Sequence, residues 1–260
     1  MSRKICEQRP TFFKVRMATK LTQAVEIQRK YYADTAGRYD SMHAHEGGSD
    51  PTVLMFVHSM LRMLDVKSVL DVGSATGTAI LGLKEAFPRA LICGVEPVAA
   101  LLEQAVRSGV PRGALIRAIG EALPFPDGTF DAVCEFAVLH HVENPASVVK
   151  EILRVARRAV FICDSNRFGQ GSRVARLIKL ALYKSGLWGP FNYLRTRGKR
   201  YMITEGDGLA YSYSVYDSFE LVTGWADRII LVPTGSTGKT KSWFHPLLNS
   251  PGVLVCAIRD

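Results

Sequence analysis

The chain has 260 residues, 47% hydrophobic and 22% charged. That fits one large domain, or one domain with a substantial insertion, around a sizeable core. No apolar run approaches the ~18 residues of a membrane-spanning helix, and the basic N-terminus has no continuous apolar segment of the secretory type. Lys and Arg exceed Asp and Glu by 9, a balance that fits nucleic acid, an anionic surface, an acidic ligand or a plain solvated face, so charge alone selects none of them.

Residues 1–19 are expected to be a flexible extension, a mitochondrial transit peptide being the alternative for so basic and acid-poor a stretch. Residues 20–64 read as helical, interrupted by HEGGSDP. From residue 68 strands and helices alternate. SVLDV is a strand and 76–87 a helix; ALICGVE is a strand and 98–108 a helix that stops at Gly109. GALIRAI and FDAVCEF are strands, 144–157 is a helix, and RAVFICD is the fifth strand. The stretch 165–215 breaks the pattern. It is rich in Arg, Lys and Tyr and reads as a cap over the open end of the sheet. ADRIILVPT and SPGVLVCAIRD follow as an antiparallel pair at a sheet edge.

Strands alternating with helices of this length imply a doubly wound α/β fold. The expectation is a mostly parallel, seven-stranded Rossmann-like sheet with an antiparallel edge strand. Residues 20–260 form a single domain with N-terminal helices and the inserted cap. The five cysteines, Cys6, Cys93, Cys134, Cys163 and Cys256, show no CxxC pair and no metal-ligand spacing. Four lie in strand-like runs and are expected to be buried and reduced, with no metal site.

The first strand runs into a glycine turn, SVLDVGSATGTAIL. A dinucleotide turn needs G-x-G-x-x-G, and the spacing here is D-x-G-x-A-x-G, with Gly73 and Gly77 flanking Ala75. A phosphate-cradling loop needs a lysine that this turn lacks. GSTGKT at 235–240 imitates such a loop, but its first glycine would fall at Pro233.

The turn resembles the first motif of the class I S-adenosylmethionine (SAM)-dependent methyltransferases, acid-x-Gly-x-Gly-x-Gly with alanine in the middle place. Three further blocks follow in that family's order: CGVEP, GEALPFPDGTFDAV and FAVLHHVENP. The four blocks together, over residues 68–163, carry the resemblance. It implies SAM as cofactor, with Asp71 on the ammonium group, Glu96 on the ribose hydroxyls, and Gly73 and Gly77 giving the methionine part room. Ser74, Ala75, Pro97, Gly120, Glu121, Glu135 and Phe136 are implied around the cofactor, and Tyr32 and Tyr39 on a helical segment over it. The family often places an Asp two residues before the glutamate of EALPF. Here that place holds Ile119, which leaves the adenine contacts to the Gly120 backbone, Glu121 and Ile119.

Methyl transfer to a hydroxyl needs in-line alignment and removal of a proton. His140 and His141 end the fourth strand, so only one can face the acceptor. His141 matches the family position with a packing role, which makes His140 the expected base, with Asp164 orienting its ring. The chain has neither the (N/D)-P-P-(Y/F) motif of amino-methylating nucleic-acid enzymes nor a Pro-Cys pair for pyrimidine C5 chemistry. The expected activity is therefore O-methylation of a small molecule or glycan hydroxyl, cytoplasmic and without nucleic acid. An RNA or N-methyltransferase using the basic cap, or a catalytically silent SAM-binding protein, are the alternatives. The oligomeric state is left open.

Overall fold

The computed structural model describes residues 22–44, 50–235, 248 and 250–260. The expected extension over 1–19, Cys6 and residues 236–240 of the GSTGKT run lie outside the described residues.

The N-terminal segment supplies α1 (Gln23–Thr35), a single turn at Tyr39–Met42, and α2 (Pro51–Met63). Asp50 caps α2 by accepting from the Thr52 N–H at 2.8 Å, and Pro51 occupies the first turn, where a missing N–H costs nothing. Next come β1 (Ser68–Val72), α3 (Thr78–Ala86), β2 (Leu91–Val95), α4 (Ala99–Arg107) and β3 (Leu115–Ile116). β4 (Phe130–Phe136), α5 (Pro145–Val155) and β5 (Ala156–Ser165) complete the parallel part. The cap holds α6 (Arg173–Lys184), α7 (Trp188–Arg195) and a separate hairpin of β6 (Tyr201–Thr204) and β7 (Gly208–Tyr211). The short α8 (Phe219–Thr223) leads to β8 (Arg228–Thr234), and β9 (Gly252–Ile258) ends the chain.

The sheet order is β3-β2-β1-β4-β5-β9-β8. β1 to β5 pair in parallel, and β9 runs antiparallel to both neighbours. The seven strands and the antiparallel pair agree with the reading from sequence. Within the pair the last strand is the inner one, and β8 forms the edge.

β4 is buried along its whole length, as a parallel strand covered on both faces must be. Its alternate side chains feed two core layers. Cys134 and Phe136 join Val57, Leu61, Ile80 and Leu83 of α2 and α3 on one face. Phe130 and Val133 join Val148, Val149 and Ile152 of α5 on the other. Cys93, Cys134, Cys163 and Cys256 are buried in these layers.

Two boundaries depart from the sequence reading. GALIRAI yields only two strand residues, because pairing with Gly94 and Val95 ends there and the Arg117 side chain turns away to donate to the Pro97 carbonyl at 3.2 Å. β5 begins at Ala156, directly after α5, with no intervening loop.

Arg167 fastens the cap. It is buried, forms an ion pair with Asp217, and stands 5.4–5.6 Å from the ring centroids of Phe168, Tyr183 and Trp188. Guanidinium against aromatic faces suits a charge that cannot reach bulk water.

Candidate active site

The glycine turn is hooked to the end of β2, with the N–H groups of Gly73 and Ser74 donating to the Val95 carbonyl at 2.8 and 3.0 Å. Gly73 and Gly77 have φ of +79° and +80°, the left-handed region that glycine tolerates. A Cβ on Gly73 would lie 2.2 Å from a Val138 methyl carbon, and one on Gly77 would lie 2.5 Å from a Val110 methyl carbon. A steric demand for these glycines therefore already arises within the protein, from Val138 and Val110.

At the carboxyl ends of β1 and β4 lies a cleft, the position where open α/β sheets hold ligands. Its walls include Asp71 near the end of β1, Gly73, Ser74 and Ala75 from the turn, Phe136 ending β4 and Ala137 after it, Tyr32 and Tyr39 from the N-terminal helices, and His141 with Asp207. Ala75 and Ala137 take left-handed φ values of 44° and 60°, strain that clusters where backbone must be placed against a ligand.

Burial, helped by the nearby Glu96, pushes the Asp71 carboxyl up to about 7. Burial likewise pushes Glu96 up to about 7, opposed by the N–H groups of Val98 and Ala75, which donate to it at 2.8 and 3.2 Å. Glu96 sits behind the Ala75 end of the cleft rather than on its wall. Pro97, Gly120 and Glu121 also stay off the wall. Glu135, expected near the cofactor, is fully buried and accepts from the N–H groups of Val138 and Leu139 instead. Burial and the Asp164 charge hold its carboxyl well above the usual range.

The two histidines occupy a 3₁₀ turn, Leu139–His141. Asp164 captures that turn, accepting from the N–H of Leu139 at 2.8 Å and of His140 at 3.3 Å, and meeting His140 Nδ1 at 2.7 Å. His140 Nε2 lies 3.3 Å from Asp207. Both ring nitrogens thus face carboxylates. Burial alone would lower this imidazole's pKa, but Asp164 and Asp207 overcome it and hold His140 well above the ordinary histidine range, as an imidazolium.

His141, not His140, reaches the cleft wall. Its Nδ1 lies 2.7 Å from the Leu209 carbonyl and 3.1 Å from Gln28 Nε2. Nε2 faces the Tyr32 hydroxyl at 2.8 Å and Asp207 at 3.2 Å. Burial and the neighbouring His140 charge lower the His141 pKa, keeping this ring neutral beside the charged one 3.9 Å away. Within the pair it is thus His141 that faces the cleft, because the carboxylate of β5 takes the first imidazole inward and the turn sends the second outward.

Asp207 was not singled out from sequence. It lies in the β6–β7 turn, TEGDG, and no local pattern distinguishes it from an ordinary solvated turn acid. Gln28 holds that turn from α1: its Oε1 accepts from the Leu209 N–H, and its Nε2 donates to the Asp207 carbonyl at 3.3 Å. The donor atoms of His140, His141 and Asp207 all lie within 4.8 Å of one another, the one such group among the described residues. With His140 Nε2 acting as an N–H donor, the set is an ion pair rather than a ring of lone pairs.

A methyltransferase-type Rossmann-like fold with a glycine turn, two buried carboxyls and a histidine-lined cleft defines the class. Residues 70–163 match the family described as "Methyltransferase domain". The chain is 29% identical over 143 residues to an uncharacterized methyltransferase of Schizosaccharomyces pombe, covering 51% of this chain and 50% of that protein. It is 30% identical over 130 residues to the ubiquinone/menaquinone biosynthesis C-methyltransferase UbiE of Desulfotalea psychrophila, 49% and 53% of the two chains. The chain thus spans about half the length of the curated relatives it matches. Among solved structures, magnesium protoporphyrin IX methyltransferase from Synechocystis, determined with bound SAH, superposes with a TM-score of 0.56 at 18% identity, over 90% of this chain and 99% of that one. Residues 70–163 thus carry a methyltransferase domain, and the fold around them is that of SAM-dependent methyltransferases.

The residues present fit that cofactor. Asp71 is a buried carboxyl on the cleft wall, suited to an ammonium group, and Glu96 is an acid beside it, suited to hydroxyl donors. Ser74 Oγ is buried in the turn with no hydrogen-bond partner.

Proposed function

We propose that the chain transfers the methyl group of SAM to a hydroxyl of a small molecule or glycan. The observation that supports this best is the His141 imidazole on the cleft wall, kept neutral by burial and by the neighbouring His140 charge, with its Nε2 meeting a hydroxyl, that of Tyr32. When bound, SAM supplies an electrophilic methyl group on a good leaving group. In this reading Asp71 holds the ammonium group, Glu96 accepts from the ribose hydroxyls, and Tyr32 and Tyr39 close over them. His141 takes the acceptor's proton at Nε2. Asp207, held well below the usual carboxylate range by the two imidazoles despite its burial, stabilises the charge that then develops on that ring. Asp164 and His140 are positioning residues: they fix the turn that aims His141.

A second reading, transfer to carbon, is favoured by the UbiE relative. One experiment separates them. SAM with a deuterated methyl group is incubated with the protein and a panel of phenols, sugars and amines, and the labelled atom is located by mass spectrometry and NMR. Label on oxygen is expected; label on carbon or nitrogen overturns O-methylation. With a working acceptor, His141→Ala should lower single-turnover rate by about 10²–10⁴-fold, the range for a general base, with SAM affinity nearly unchanged. A rate within about threefold of the parent protein leaves alignment alone as the catalytic principle.

A further inference from the structure

The distribution of charge along the chain is uneven. Between Asp164 and Glu205 there is no acidic residue, while Arg167, Arg173, Arg176, Lys179, Lys184, Arg195, Arg197, Lys199 and Arg200 supply nine positive charges. The remaining sequence holds 33 − 9 = 24 Lys and Arg against 24 Asp and Glu. The whole net charge of +9 therefore resides in residues 165–204.

The same segment carries an inverted helix. An amphipathic helix ordinarily turns its apolar stripe to the core. In α6 the inner face holds Arg176, which donates to the carbonyls of Gly171 and Leu248 at 2.8 and 2.7 Å, and Lys179, which donates to those of Arg167 and Gln170 at 3.0 and 3.1 Å. The outer face holds Val174, Leu177, Ile178 and Ala181, at the i, i+3, i+4, i+7 spacing of one stripe. Val174, Leu177 and Ile178 are 66%, 52% and 51% exposed. Leu187, Phe191 and Leu194 repeat an exposed i, i+4, i+7 stripe along the neighbouring α7, with Leu194 75% exposed, and Met202 and Ile203 extend it on β6. Ten of the fourteen large hydrophobic side chains exposed among the described residues lie between 174 and 203.

We propose that this face of the cap docks on an anionic lipid bilayer, with the aliphatic side chains entering the headgroup–acyl boundary and the surrounding Arg and Lys meeting lipid phosphates. Apolar stripes flanked by basic residues, without any acid, are the pattern of helices that lie in a membrane interface. The exposed stripe is mostly aliphatic, and aliphatic side chains offer nucleic-acid bases no stacking platform. No described helix is long and apolar enough to cross a membrane, so attachment is peripheral and reversible. The β6–β7 hairpin that carries Met202 and Ile203 also carries Asp207 into the cleft, which sets the cleft beside the docked surface. The proposal stands independently of which atom is methylated.

The test is co-sedimentation of the full chain with vesicles of phosphatidylcholine alone and with about one third phosphatidylglycerol. Binding is expected only to the anionic vesicles, and weaker as salt rises. Leu177→Ser with Ile178→Ser should abolish it while far-UV circular dichroism and melting temperature stay unchanged, since both side chains are outside the core. Lys199→Gln should weaken partitioning by roughly fivefold, as one charge near an anionic surface is worth about that factor. No binding to anionic vesicles overturns the proposal. So does tighter binding to an RNA oligomer than to vesicles, or concentration-dependent dimerisation that the double substitution removes, since either would give this face a different partner.

Discussion

Asp71 and Glu96 link the cofactor site to pH. Burial raises both carboxyls from the usual range to about 7, so between roughly pH 4 and 7 the folded, ligand-free protein holds protons that the unfolded chain has released. Stability of that state accordingly falls as pH rises through this window. An ammonium group beside Asp71 reverses the preference by favouring the carboxylate. If binding requires Asp71 ionised, the apparent Kd scales as 1 + 10^(pKa − pH). Lowering pH from 7.5 to 5.5 around a pKa of about 7 then weakens SAM binding by about 25-fold, or roughly 2 kcal/mol. The α-amino group stays mostly protonated over this range, with a reference pKa of about 7.7–8, so the slope reports the protein. The assay is isothermal titration calorimetry with SAM at half-unit pH steps, on the parent protein and on Asp71→Asn. The variant should bind weakly at pH 7.5, and the Asp71 contribution to the slope should disappear. A parent Kd constant from pH 7.5 to 5.5, or an unchanged slope in Asp71→Asn, would refute the assignment of Asp71 to the ammonium group.

Gly73→Ala should destabilise the protein even without SAM, by on the order of 2 kcal/mol from left-handed strain and overpacking against Val138; a melting temperature equal to the parent's would return the glycine's role to the cofactor. Arg167→Met should cost about 3 kcal/mol, the low end for breaking a buried pair because Asp217 is partly exposed, and hydrogen exchange should quicken in α6 and α7 before the sheet; uniform exchange would mean the cap is fastened elsewhere. His140→Gln should lower stability most at low pH. A histidine whose folded pKa is raised stabilises fully below its unfolded value near 6.5 and loses that contribution as pH rises through the folded value, so a deficit that grows above neutral pH would contradict the imidazolium.

Much of the fold was legible because β1, β2 and β4 are short apolar runs bounded by glycine, proline or acids that signal their ends, whereas β5 runs straight out of α5 and its start carries no such signal. GALIRAI looked equally strand-like, yet only Leu115 and Ile116 pair, since propensity cannot say how far a partner strand extends. The glycine-turn side of the cleft was legible for the same local reason: Asp71, Gly73, Ser74 and Ala75 lie together in sequence and on the cleft wall. The histidine side was not. It depends on Asp207, brought from an insertion to lie against two histidines more than sixty residues earlier, and on Gln28 from the first helix holding that turn in place. No periodicity within either segment reports such a meeting.

The histidine pair shows how little separates the two outcomes. Adjacent residues in a 3₁₀ turn project about a third of a turn apart, so whichever ring is captured by the strand behind it determines that the other faces forward. Asp164 makes the capture through three contacts, two with backbone N–H groups and one with the His140 ring, and these fix the turn before any acceptor arrives. Asp207 then touches both rings. It leaves His140 charged and places a carboxylate beside neutral His141, whose charge upon accepting a proton would otherwise be opposed by the imidazolium next to it. The carboxylate that makes a neutral base tenable at this position is thus supplied by the cap and not by the sheet. In the proposed mechanism, proton removal therefore joins the two parts of the fold, with the base His141 at the carboxyl end of β4 and its carboxylate partner Asp207 on the cap hairpin.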